Sequence, residues 1–214
     1  YSTQKSITQV SEPVTAQKDA VPSTDSQTAA VEKSFDEYKS ALLAKDGARS
    51  TQYVNNSTIT YYSDLLKSIK FDSKEQVQEK ILADKLTILM IRSRYGDEAL
   101  KLDDGKALFA FAVNKGLISE KSVVSIKTDS IAIDNNTAFL TYKVGDTVSP
   151  VKFKFTKEDN MWKLDLAYLI PVANLAFSQS AKQSGYTDDA FLFKILESMG
   201  GRAPTEEIWE PLSN

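Results

Sequence analysis

The chain has 214 residues, 26% of them charged, and a formal net charge of −3, so it lacks the global positive field that neutralises a nucleic-acid backbone. It contains neither cysteine nor histidine. Disulfides, thiolate metal sites and imidazole-based catalysis are excluded, and any acid–base chemistry falls to Asp, Glu, Tyr or Lys.

Residues 1–29 are rich in Ser, Thr, Gln, Ala and Val, with two prolines and no aromatic after Tyr1. Such a segment buries too little apolar surface to offset ordering costs of about 1–2 kcal/mol per residue. It is expected to be a disordered tether, ahead of a single domain at 30–214. The first segment with a reason to fold is Val31–Leu43, where Val31, Phe35, Tyr38 and Leu42 share one helical face and Lys45-Asp46-Gly47 supplies the stop. Ser57 is expected to cap a second helix with a stripe of Ile59, Tyr62, Leu65, Leu66 and Ile69. Ser73 and Gln76 form a capping-box pattern opening a long helix through Val77, Ile81, Leu82, Leu86 and Leu89, ending near Tyr95-Gly96. Its run Leu86–Ile91 is too short to span a membrane. Arg92, Arg94 and Tyr95 at that helix end read as complements to its dipole. A further helix spans about Asp104–Asn114.

The period then changes from helical to alternating. Asn135-Asn136 is a turn pairing Asp134 with Thr137, Ile133 with Ala138 and Ile131 with Leu140. Strand Thr137–Val144 turns at Gly145-Asp146 into Pro150–Thr156. A four-residue turn at Lys157–Asn160 then sets Phe155 opposite Trp162, Phe153 opposite Leu164 and Val151 opposite Leu166. These registers bring Ile131, Ile133, Leu140, Tyr142, Val151, Phe153, Phe155, Trp162, Leu164 and Leu166 to one face. A bulge near Thr128–Ser130 would add Val124 and Ile126 to it. Pro171 suits the first turn of a helix running toward Gly185. Thr187 caps another carrying Phe191, Ile195 and Met199.

The opening FDEYKSALLAKDG, the helix TITYYSDLL and the closing hairpin VKFKFTKEDNMWKLDL together resemble the nuclear transport factor 2-like superfamily, over about residues 31–170. The resemblance implies an α+β cone: a curved antiparallel meander with N-terminal helices in its concave face, here followed by extra C-terminal helices at 171–214. It also implies enzymes, ligand binders or dimers, because that fold hosts all three. The hairpin looks like that of secreted members, so an extracytoplasmic, lipoprotein-type setting is expected, with membrane contact only through an N-terminal anchor.

For an isomerase- or hydratase-like enzyme the candidate groups are Tyr38, Tyr61, Tyr62, Asp64, Tyr142, Asp165 and Tyr168. Asp165 has outward parity, with Lys152 as its cross-strand partner, and Asp64 lies at a stripe edge, so neither is set up as a base. A non-catalytic binding domain is the favoured reading. Tyr38, Tyr62, Tyr142, Trp162 and Tyr168 either line a mouth for a small apolar ligand or fill the core. Lys143, Lys152, Lys154 and Lys163 fall on the outer sheet face, with Lys154 opposite Lys163, and offer a surface to an acidic partner. A homodimer through that sheet face is the remaining alternative. No metal, cofactor or nucleic acid is expected.

Overall fold

The structure, a computed structural model, describes residues 23–200 and 203–213. Helices α1 (Thr24–Leu43), α2 (Gly47–Ser50), α3 (Asn56–Phe71), α4 (Lys74–Gln78), α5 (Leu82–Ala99), α6 (Gly105–Asn114) and α7 (Lys121–Val124) precede the strands β1 (Ile126–Asp134), β2 (Thr137–Val144), β3 (Thr147–Val148), β4 (Phe153–Glu158) and β5 (Met161–Leu164). Helices α8 (Ile170–Ser184) and α9 (Asp188–Ser198) and a 3-10 turn at Glu206–Trp209 follow. The protein is α+β, with an open antiparallel sheet in the order β1-β2-β4-β5 and β3 paired to β2.

Helix α1 starts at Thr24, capped by the Ser23 hydroxyl, so residues 24–29 belong to the fold and not to the expected tether. Residues 1–22 of that tether lie outside the described residues. The face Val31, Phe35, Tyr38 and Leu42 is buried against the sheet, as the spacing predicts. Helix α3 is capped by Asn55, two residues before the expected cap. The Asn55 side chain accepts from the Thr58 amide at 2.9 Å, and the Asn55 amide itself donates to the Leu164 carbonyl at 3.0 Å. That bond ties the start of α3 to the edge of β5.

The capping box forms at Ser73, yet the helix it opens ends at Gln78. Ile81 is extended, at φ −63° and ψ 154°, before α5 begins. The break lets Val77 and Leu82 both face inward, and it leaves Ile81, expected in the buried stripe, 41% exposed. Helix α5 kinks at Tyr95, where the sequence predicts an end, and runs on to Ala99. Gly47 and Gly105 allow α6 to approach its neighbours. A Cβ at Gly47 would sit 2.1 Å from the Ala110 carbonyl oxygen, and one at Gly105 would sit 2.3 Å from that of Ile59.

In the sheet, the β1–β2 register and the irregularity between Thr128 and Ser130 are as expected. Val124 is not part of the sheet face; it ends α7 and is exposed. The last hairpin is two residues tighter than expected. Asp159 and Asn160, at φ 51° and 61°, make a two-residue turn whose twist suits paired strands. Phe155 therefore lies opposite Leu164, Lys157 opposite Trp162 and Thr156 opposite Lys163. A shift of two preserves which side each residue faces, so Phe153, Phe155, Trp162 and Leu164 remain buried together. Val151 lies beyond the start of β4 and takes no place in that inner set.

Two apolar cores result. One joins α1 and part of α6 to the inner sheet face. The other joins α3, α4 and α5 to α8, α9 and the Glu206–Trp209 turn. Tyr62 on α3 touches both. The helices after Pro171 thus neither plug nor lid the sheet; they pack on α5. On α9 the inward residues are Phe191, Leu192 and Leu196, and Met199 is exposed.

Two arginines hold the second core. Arg92 is buried, and its guanidinium donates to the carbonyls of Ser68, Ile69 and Asp72 at the end of α3 and to that of Trp209. Arg94 donates to the Leu196 and Gly200 carbonyls at the end of α9. Both arginines complement helix dipoles, but those of α3 and α9 rather than of their own helix.

Candidate functional site

The space between α1 and the sheet is filled. Phe35 packs 5.0 Å from Phe153 and edge-on to Phe155, and Tyr142 stacks on Phe153 at 4.8 Å. Tyr38 is buried, and burial with the neighbouring Tyr62 holds its phenol well above the usual tyrosine range. Burial does the same to Tyr62, which meets Phe109 edge-on. Four of the five expected ligand-binding residues, Tyr38, Tyr62, Tyr142 and Trp162, are therefore brought together as packing.

Tyr168 is separated from them. The chain leaves β5 through a 3-10 turn at Ala167–Leu169, which carries Tyr168 to the outer sheet face against Phe139. Its parity with Trp162 has no meaning past Leu164, because the strand has ended.

A hollow of about 440 Å³ opens at the seam between α1 and the last hairpin. Ala30, Lys33, Ser34 and Glu37 recur at helical spacing beside the buried stripe of α1 and form one wall. Gln52 and Tyr53 from the 3-10 turn after α2 form another, and Asn160, Met161 and Trp162 close it. The parts are braced. The Ser34 hydroxyl donates to the Trp162 carbonyl, and the Trp162 indole donates to Gln27 at 3.0 Å. Glu37 is ion-paired to Arg49. Of these wall residues the sequence singles out only Trp162. The available signal is small Ala30 and Ser34 beside the aromatic stripe, where little side-chain bulk leaves a groove.

The outer face holds a second hollow of about 350 Å³, lined by Phe139, Pro150, Val151, Lys152, Tyr168 and Val172. Its lysines differ from expectation. With the tighter turn, Asp165 faces Lys154, not Lys152, at 3.1 Å. Asp165 is not an exposed partner but 4% exposed, and it also accepts from the Tyr168 amide at 3.1 Å. Lys163 faces Thr156, not Lys154. Lys143 is paired with Asp129 at the bulge.

Of the acidic candidates, Asp64 is exposed and loosely paired with Lys67. Tyr61 donates to Asp84 at 2.6 Å, and burial holds the Asp84 carboxyl above its usual range. The sequence reading misses Asp84, which sits in the first turn of α5, where an acid has an ordinary dipole role. Neither Tyr61 nor Asp84 lines either hollow. Among the described residues no acidic cluster could hold a metal ion, and no helix is long and apolar enough to cross a membrane.

Comparison of the chain with protein-family profiles, with curated proteins and with solved structures gives no match.

Proposed function

We propose that this chain is a non-catalytic binding domain of an extracytoplasmic protein, related in fold to the nuclear transport factor 2-like cone. The ligand is held at the seam between α1 and the β4–β5 hairpin instead of inside the cone. The observation that carries this reading is the hollow of about 440 Å³, in which Tyr53, Met161 and Trp162 meet Ser34, Glu37, Gln52 and Asn160. Its volume lies within the range of about 300–1,000 Å³ found for small-molecule sites, and its walls mix aromatic surface with a few oriented polar groups. The occupant is a small molecule with an apolar ring or chain and hydrogen-bonding substituents. The extracytoplasmic setting is supported by the likeness of the closing hairpin to secreted members of that superfamily.

The test is an NMR fragment screen on the isotopically labelled chain. Binding at the seam shifts the amides of Ser34, Gln52 and Tyr53 together with the Trp162 indole. Ala30→Trp, at an exposed helical position, should fill the hollow and abolish those shifts while the fold is retained. Fragments that bind only elsewhere, or bind Ala30→Trp equally well, would sink the proposal.

A histidine-free isomerase or hydratase is the second reading, with the Tyr61–Asp84 pair in its favour. A half-buried carboxyl with a raised pKa beside a phenol is the kind of pair that moves protons at a carbon acid. Neither of the two hollows described above reaches it, which is why binding is preferred.

A further inference from the structure

We propose that the outer face of the sheet, with the start of α8, is a docking surface for an acidic, apolar segment of another protein. This rests on different residues from the seam hollow and stands independently of it.

The first observation concerns α8. The stretch Ala167–Ala181 has no charged side chain, although 26% of the whole chain is charged. Only Ala181 of α8 is buried. Val172 is 45% exposed and Leu175, one turn on, 60%. A helix this apolar normally turns its apolar stripe to a core, and α8 leaves most of it in solvent. The stripe is continuous with the hollow floored by Phe139, Val151 and Tyr168. Exposed apolar surface of this extent, with a concavity beside it, marks an interaction site.

Charge selects the occupant. Lys152 lines the hollow, and Lys154 lies over the Tyr168 ring at 5.5 Å. The β1–β2 register places Lys127 beside Lys143 on the same face, toward the same strand ends. Of the acids on this face, Asp129 and Asp165 pair with Lys143 and Lys154, and Asp134 and Glu158 sit at the opposite ends by the hairpin turns, so Lys127 and Lys152 carry the excess positive charge at the end with the hollow. An otherwise acidic chain of net charge −3 thus keeps a local excess of lysine beside its exposed apolar patch. A segment that inserts apolar side chains and surrounds them with Asp or Glu is complementary in both respects. A second copy of this chain is a poorer fit, because a two-fold contact would set the lysine rim against itself. A concavity suits inserted side chains better than it suits a flat lipid surface.

The experiment pans a displayed library of random 16-residue peptides on the whole chain, then measures soluble winners by fluorescence anisotropy. Enriched peptides should combine Asp or Glu with Leu, Phe or Ile, and should weaken as salt rises. Lys152→Glu and Val172→Asp, both at exposed positions, should each weaken binding at least tenfold with unchanged circular dichroism. Leu175→Asp, off the hollow but on the stripe, serves as a second probe of the same surface. Basic or neutral winners, failure to enrich any peptide, or binding indifferent to all three substitutions would overturn the proposal. Co-sedimentation with phosphatidylglycerol vesicles that exceeds peptide binding would overturn it in favour of a membrane, and concentration-dependent dimerisation abolished by Val172→Asp would do so in favour of self-association.

Discussion

Arg92 donates to the Trp209 carbonyl at 2.6 Å, across 117 positions of sequence, while its other nitrogens hold the end of α3. One planar group thereby supplies donors to carbonyls that α3 and the C-terminal turn leave without helical partners. Arg92→Lys keeps the charge but loses the fork, so most of these bonds go unmade. The expected loss is about 3 kcal/mol or more, because several buried carbonyls lose partners that each matter at about 1–3 kcal/mol. Urea unfolding measures it, and hydrogen exchange should show Ile208 and Trp209 amides losing protection first.

The register of the last hairpin is open to a direct test. A double-mutant cycle on Lys154 and Asp165 should give a coupling of about 1 kcal/mol or more, since Asp165 is nearly buried. The same cycle on Lys152 and Asp165 should give about zero. Coupling to Lys152 alone would restore the looser four-residue turn.

Alternation made the sheet legible before its register. Ala138, Leu140, Phe155 and Leu164 announce an inward face by a period of two, and a shift of two residues leaves that pattern intact. Nothing in the pattern could therefore separate Trp162 opposite Phe155 from Leu164 opposite Phe155. The break at Ile81 was hidden for another reason. Residues 79–81 include no Gly or Pro, and the interruption serves the joint burial of Val77 and Leu82. The role of Arg92 was invisible because its acceptors are backbone atoms from a distant segment, which carry no side-chain signature. The seam hollow was missed because a groove is made by what is small, and Ala30 and Ser34 attract no notice in a list of chemical groups.

Substitution at the close approaches should separate space from helix propensity. Gly47→Ala and Gly105→Ala each place a Cβ against backbone, at 2.1 Å and 2.3 Å from a carbonyl oxygen, and should destabilise by about 1–3 kcal/mol. Gly96→Ala meets only the mobile end of Leu212, at 3.1 Å, and should cost far less, since Ala favours the helix. Calorimetric melting of the three variants checks the order.

Alkali should unfold the protein through its buried phenols. Burial raises the folded pKa of Tyr38, Tyr61 and Tyr62 above the value of about 10 for unfolded tyrosine. Below about pH 10 both states keep these protons, and the contribution is fully present. As pH rises past that point the unfolded chain loses protons first, so stability falls, by about 1.4 kcal/mol per pH unit for each such group. Tyr38→Phe should flatten the slope of stability against pH above pH 10 and remove one late-titrating phenol from the absorbance at about 295 nm. An unchanged slope would mean that Tyr38 ionises freely in the folded state.

The position of Trp209 has a consequence for the order in which the newly made chain acquires structure. The sheet, α1 and α6 find nearly all of their partners within residues 31–164, so that half can consolidate while synthesis continues. The helical half cannot, because Arg92 lacks its last acceptors and the core around Leu89 and Leu192 lacks its largest side chain until residue 209 arrives. Maturation is thus vectorial: a settled sheet waits on an unfinished helical layer, and that layer is sealed only once the Glu206–Trp209 turn has emerged.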